Sequence, residues 1–350
     1  MPLAEQHLSR DRLNFHGSLT STEIDCLLAD KDVRVLQTAE PVDTPTWDLL
    51  NARFFNARPE VELRVYGHYR KSCDLTFLSH LGNLRRFAAD CLIKASGVEH
   101  ISRLANLERL SVGIYELESF NFLRDLQSEE LTHLSLGATF SKKPSLRVIE
   151  RFPRLEQLYI EGQRKDIDAI GRLKRLRDLT LRSITVPTLG FLRGLSELRS
   201  LDIKLGGTKY LGDLPYVGGI RYLELWQVKG LADLGPLAEI TTLQYLYLQA
   251  LRNVKELPNM SRLSGLRRLY LENMKGLKDL SSLATAPALE ELVHASAQGR
   301  QPQEYTELLA KGTLKRIFVG FGNARKSAKL DAMMRASSVD EFTPRPFNFI

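Results

Sequence analysis

The feature that most limits what this chain can fold into is a recurring Leu-x-x-Leu-x-Leu signature, with other aliphatic residues at some leucine positions. It reads LERLSV from Leu107, LTHLSL from Leu131, LEQLYI from Leu155, LRDLTL from Leu176, LRSLDI from Leu198, IRYLEL from Ile220, LQYLYL from Leu243 and LRRLYL from Leu266. Weaker copies are LRRFAA from Leu84, LEELVH from Leu289 and LKRIFV from Leu314, and Val61 to Val65 reads as a first strand out of strict register. Successive copies start 21–25 residues apart, on average 23.0. Such a period signals an array of stacked units, not the two or three compact domains that 350 residues would otherwise allow. Within each copy the last two leucines stand two residues apart and so point to one side of a β-strand. The first enters from the preceding turn. No single copy can bury three leucines alone, so stacking must supply a continuous core. Of the chain's 62 leucines, 52 fall within residues 61–320, which makes them one core drawn out along about eleven repeats.

This pattern resembles the leucine-rich-repeat family over about three quarters of the chain. Repeats this short are similar to the internalin-like and phosphatase-regulator-like subtypes. The resemblance implies an α/β solenoid, a horseshoe with parallel strands on the concave face, short 3₁₀ or α turns on the convex face, and end caps. The segments between copies, such as 75–84, 120–127, 167–176, 189–198, 231–240 and 277–287, carry apolar residues every three positions, a spacing that suits single-turn 3₁₀ helices. One departure is visible. Family members usually carry asparagine three residues after the last strand leucine. Here that position holds Tyr115, Thr139, Gln163, Ile184, Gly206, Val228, Leu251, Met274, Ala297 and Gly322. Without that ladder, neighbouring turns or water must satisfy the loop backbone.

The expected organisation is an N-terminal cap over 1–60, the solenoid over 61–320 and a C-terminal capping helix and tail over 321–350. Thr20 to Glu23 reads as a capping box before a short helix through Leu28. Val33 to Leu36 reads as a strand, and Thr44-Pro45 as the start of a helix carrying Trp47, Leu50, Phe54 and Phe55. With the strand at 61–65 these make one strand–helix–strand step. Asn323 reads as the cap of a helix over 324–336, with Leu330, Met333 and Met334 on its apolar side and an irregular tail, TPRPFNFI, beyond it. The chain is 43% apolar and 26% charged, as expected of a folded chain. No apolar run reaches the length of a membrane span, the first residues lack a secretory apolar core, and three scattered cysteines argue against a disulfide framework. A cytoplasmic location is the expectation.

No catalytic constellation stands out. The histidines (His7, His16, His68, His80, His100, His133 and His294) form no metal-binding spacing, and there is no CxxC or GxSxG. His294 replaces a core leucine and reads as a hydrogen-bonded core histidine; Gly320 to Gly322 reads as a turn. A non-enzymatic protein with no catalytic, cofactor-binding or metal site is therefore expected.

What remains is the strand face, formed by the third, fifth and seventh positions of each copy. Its aromatic residues cluster: Tyr222, Trp226, Tyr245, Tyr247 and Tyr270 fall in three consecutive repeats, with Glu224, Arg268 and Glu272 at the border. Tyr159, Arg182, Asp202 and Lys204 extend the surface with polar groups. Tyr and Trp ringed by charge are the composition of a protein-binding hot spot. These twelve residues are the expected partner-binding site of a monomeric protein-interaction module, whether an inhibitor or immunity protein, a regulatory subunit or a scaffold. The alternative is nucleic-acid or anionic-surface binding through an edge row, Arg85, Arg177, Arg199, Arg221, Arg267 and Lys315, prompted by the formal charge of +7. The face itself balances acids against bases, which disfavours a phosphate-binding groove.

Overall fold

The computed structural model describes residues 7–9, 11–67 and 72–350, so His68 and the side chain of His7 lie outside the described residues. The chain divides into two compact units, Met1–Arg175 and Leu176–Ile350. Each is a stack of strand-and-turn repeats, and the strands form open ladders, not a barrel.

The first unit contains β1 (His7–Ser9), β2 (Arg12–Asn14), β3 (Val35–Thr38), β4 (Glu62–Tyr66), β5 (Cys73–Asp74), β6 (Arg86–Leu92), β7 (Ala95–Ser96), β8 (Arg109–Ile114), β9 (His133–Leu136) and β10 (Gln157–Glu161). β1 is antiparallel to β2, β5 pairs with β7, and β2, β3, β4, β6, β8, β9 and β10 form one parallel ladder. Leu13, Leu36, Leu63, Phe87, Leu110, Leu134 and Leu158 stand in register along it, all essentially fully buried. The ladder thus starts before the strand expected at 61–65, because β2 and β3 present leucines in the same register. Helix α1 (Ser21–Ala29) opens on the expected capping box: Thr20 Oγ1 accepts the Glu23 N–H (3.3 Å) and Glu23 Oε2 accepts the Thr20 N–H (2.8 Å). Helix α2 (Thr44–Leu49) is capped by Asp43, one residue before the expected Thr44, because Asp43 Oδ1 accepts the Thr46 N–H at 2.9 Å. A wide π turn, Leu50–Phe55, continues it and buries Leu50, Phe54 and Phe55. The expected strand–helix–strand step is therefore β3–α2–β4, with β3 two residues later than predicted. The segment at 120–127 folds as a short helix, α3 (Asn121–Asp125). Of the cysteines, Cys73 and Cys91 are buried and Cys26 is exposed, and all three are free thiols.

The second unit contains β11 (Asp178–Arg182), β12 (Ser200–Lys204), β13 (Tyr222–Trp226), β14 (Tyr245–Gln249), β15 (Arg268–Glu272), β16 (Glu291–Ala295), β17 (Arg316–Val319) and β18 (Asp340–Glu341), all parallel. From β11 to β15 every strand pairs residue for residue with the next, so equivalent repeat positions form straight rows. The connections use 3₁₀ turns such as Gly190–Leu192, Gly235–Glu239 and Ser281–Thr285, as the three-residue apolar spacing predicts. Helix α4 (Thr306–Ala310) and helix α5 (Ala324–Ala336) close the unit. Asn323 caps α5 through the Lys326 N–H (3.1 Å), and Leu330 and Met334 are buried.

The two units replace the asparagine ladder differently. In the first, Gln163 takes over its role: the fully buried side chain donates from Nε2 to the Gly137 carbonyl (2.9 Å) and to Thr139 Oγ1 (3.0 Å). In the second, the residue after each of β11 to β16 turns into the left-handed region, at Ser183, Leu205, Gln227, Ala250, Asn273 and Ser296. That turn aims the Ser183, Leu205, Gln227 and Ala250 N–H groups at the carbonyls of Lys204, Trp226, Gln249 and Glu272 in the next repeat, at 2.7–2.9 Å. Neighbouring turns therefore satisfy the loop backbone. The following position is freed for packing, and Ile184, Val228, Leu251, Met274 and Ala297 are all buried there.

Candidate functional site

The parallel register of the second unit decides which side chains meet. Tyr222 stands opposite Tyr245, and their rings pack edge to face with centroids 5.0 Å apart. Tyr247 stands opposite Tyr270, and those rings meet edge to face at 4.7 Å. Both geometries suit the ring quadrupole. Arg182 reaches over Trp226, 5.5 Å from the ring centroid. Four tyrosines and a tryptophan on three adjacent strands thus form one half-buried aromatic surface.

Carboxylates hold the tyrosine hydroxyls in place. Tyr222 Oη donates to Glu224 Oε2 (2.9 Å), and Tyr247 Oη donates to Glu272 Oε2 (2.5 Å). Burial and then the neighbouring negative charge push the Tyr222 hydroxyl far above its ordinary range. Burial followed by the Glu272 hydrogen bond does the same to Tyr247. Both remain O–H donors at any physiological pH. Next to them Lys204 Nζ bridges Glu224 Oε2 (2.9 Å) and Asp202 Oδ2 (3.2 Å), and Thr180 donates to Asp202 Oδ2 (3.1 Å). Burial works against the Lys204 ammonium, but the two carboxylates outweigh it and its pKa is raised. Burial also raises the Asp202 carboxyl, against the pull of Lys204 and with the help of Glu224. Asp202 Oδ1 is buried and accepts no hydrogen bond from the described residues. Lys204 thus pairs with two acids at once.

The predicted residues take different places. Tyr159 belongs to the first unit, where its hydroxyl donates to Glu161 (2.7 Å). Arg182, Asp202, Lys204, Tyr222, Trp226, Tyr245, Tyr247, Tyr270 and Glu272 lie on the strand face of the second unit with part of each side chain open to solvent. Glu224 is 8% exposed, and Arg268 only 4%. Arg268 is buried because it pairs with Glu291 and lies under the rings of Phe342 and Phe347, at 5.2 and 5.0 Å.

Phe347 belongs to a segment whose docking sequence reasoning missed, and Phe342 immediately precedes it. Residues 343–350 are irregular, as expected, yet they are docked: the segment leaves β18 and crosses back along the N-terminal ends of β16, β15 and β14. Arg345 pairs with Glu291, Phe347 packs on Tyr245 (5.3 Å), and Gln244 hydrogen-bonds both main-chain groups of Ile350 at 2.9 Å. The signal available was the alternation of Arg345, Phe347 and Phe349 starting between Pro344 and Pro346, which marks an extended segment with one chemical side. The edge row is also largely engaged. Arg267 serves this segment, while Arg85, Arg177 and Lys315 pair with Glu108, Glu197 and Glu290.

Among the described residues, no helix is long and apolar enough to cross a membrane. No protein-family profile matches the chain, and no curated protein does. Solved structures do resemble it. An internalin from Listeria monocytogenes superposes with a TM-score of 0.53 at 16% identity, over 92% of this chain and 94% of that one. A Leptospira interrogans leucine-rich-repeat protein gives 0.46 at 13% identity, over 93% of each chain. The TLR13–ssRNA13 complex gives 0.49 at 18% identity, over 89% of this chain and 47% of that one. The repeat signature, the parallel strand in each repeat, the 3₁₀ turns and the likeness to the internalin agree: the chain has the leucine-rich-repeat fold.

Proposed function

We propose that this protein is a protein-interaction module that docks a protein partner on the strand face of its second unit. Trp226, Tyr247 and Tyr270 form the apolar centre of that surface, and Tyr222 and Tyr245 continue it. Arg182, Lys204, Asp202, Glu224 and Glu272 supply its polar border, Arg268 holds one end, and Tyr159 offers a separate contact in the first unit. The observation that carries this reading is the in-register block of tyrosines whose hydroxyls are already oriented by Glu224 and Glu272. Rings fixed in this way lose little conformational freedom on binding, which is why Tyr and Trp dominate interface energetics. The partner is held without chemical conversion, in the manner of an inhibitor, a regulatory subunit or a scaffold, in the cytoplasm and by a monomer.

The test is affinity capture from the native source with the wild-type chain and with a Trp226→Ala, Tyr247→Ala, Tyr270→Ala variant. All three side chains are half-buried face residues, so circular dichroism should remain unchanged. Capture of a specific protein by the wild type and its loss in the variant support the reading. Equal capture by both refutes it.

A further inference from the structure

The docked segment defines a site with its own chemistry. Side chains of the sheet edge grip its main chain at three places. Arg268 Nη1 donates to the Arg345 carbonyl (3.1 Å), Arg267 Nη2 donates to the Asn348 carbonyl (2.5 Å), and Gln244 both accepts from the Ile350 N–H and donates to its carbonyl. These contacts read an extended backbone and are indifferent to sequence. Two others are selective. Glu291 takes the Arg345 guanidinium, and Phe347 sits against the guanidinium groups of Arg267 (4.8 Å) and Arg268 (5.0 Å) and the ring of Tyr245. Pro344 and Pro346 hold the preceding residues extended, so Arg345, Phe347 and Phe349 share a side. Beside the two rings a cleft of about 450 Å³ opens between Phe347 and Phe349 on one side and Tyr222, Ser200, Arg199 and Arg221 on the other. The occupant is incompletely seated, with Phe349 47% and Ile350 79% exposed.

We propose that this edge is a peptide-recognition groove for an extended segment in which an arginine is followed by aromatic residues at alternate positions, and that residues 343–350 occupy it as a built-in ligand. A partner segment of the same chemistry takes the groove by displacing them. The groove runs along the strand ends beside the aromatic face, so the proposal adds a second docking site and stands independently of the reading of that face. Tethering gives the built-in ligand an effective concentration on the order of millimolar, so a free segment competes only when the tether's rings are removed or its own contacts are stronger.

The probe is a fluorescein-labelled peptide of sequence TPRPFNFI, followed by fluorescence anisotropy on three full-length proteins: wild type, Phe347→Ala/Phe349→Ala, and that double variant carrying Arg267→Glu. The double variant should bind the peptide at least tenfold more tightly than the wild type, and Arg267→Glu should remove the gain. Gln244→Ala in the double-variant background should weaken binding as well, which guards against a folding defect peculiar to Arg267→Glu. A peptide with the arginine replaced, TPEPFNFI, should not bind. Binding to neither wild type nor double variant, equal binding to both, or equal binding of the two peptides overturns the proposal. Trp226→Ala and Tyr247→Ala should leave peptide binding unchanged. A groove that fails while partner capture persists therefore sinks only this inference, and the reverse result sinks only the face reading.

Discussion

Arg268 and Glu291 stand opposite each other on β15 and β16, joined Nε to Oε2 at 2.5 Å, with 5% of each side chain exposed. Arg316 (3.1 Å) and Arg345 share the same carboxylate, so one buried acid organises three guanidinium groups. A buried pair is expensive to break, and without Arg268 the buried Glu291 keeps only the more exposed Arg316 and Arg345. Arg268→Met should therefore cost about 3 kcal/mol in urea unfolding. It should also free the segment beyond β18, seen as faster chymotryptic cleavage at Phe347 and Phe349. Replacing both partners, Arg268→Met with Glu291→Leu, should recover most of the stability but not the protection.

Acid should destabilise the second unit through His294. This residue is 2% exposed, its Nδ1 lies 2.8 Å from the Tyr305 hydroxyl, and burial, aided by Arg300, depresses its pKa to about 4. A depressed histidine pKa means that the unfolded chain takes up a proton below pH 6.5 while the folded chain does not. Stability is thus unaffected by this group above pH 6.5, falls as pH drops from 6.5 to about 4 by about 3 kcal/mol, and levels off below that. Thermal unfolding across this range should show the slope, and His294→Leu should flatten it.

Lys204 compensates two acids at once. Lys204→Met should leave Asp202 and Glu224 adjacent and uncompensated, at a cost of about 2 kcal/mol near neutral pH. Because the deficit comes from ionised carboxylates, it should shrink as pH falls and Asp202, whose carboxyl burial already raises, takes up a proton. A pH-independent loss in denaturant unfolding would assign Lys204 a packing role instead.

Gly206 sits where the chain leaves β12, and a Cβ there would lie 1.9 Å from the carbonyl oxygen of Ile184. Two backbone segments must separate to admit a methyl group. Gly206→Ala should lower stability by at least about 2 kcal/mol, measured as a drop in the denaturation midpoint.

The sequence was most legible where one residue type repeats one physical task. The leucines at Leu179, Leu201, Leu223, Leu246 and Leu269 set the strand register, and register places Tyr222 beside Tyr245 and Tyr247 beside Tyr270. The helix caps at Thr20 and Asn323 were readable because capping is local. Long-range docking was not. Gln244 and Ile350 are 106 residues apart, and nothing in the repeat period dictates that a Pro-Phe segment turns back across β16 and β15. Arg268 therefore read as an exposed border charge, although the returning rings bury it. The substitute for the asparagine ladder was hidden for another reason: it lies in left-handed backbone at Ser183, Leu205, Gln227 and Ala250, residues with no shared side-chain chemistry.

The central claim, that a protein partner docks on the strand face of the second unit, is tested most directly by site-specific photocrosslinking in the native source. A benzophenone amino acid is placed in turn at Trp226 and Tyr247 on the face, and at Arg262 and Glu307 on the turn side as controls. The account predicts one adduct band shared by the two face positions and absent from the turn-side positions. An adduct from Arg262 or Glu307 with none from Trp226 and Tyr247 would contradict it.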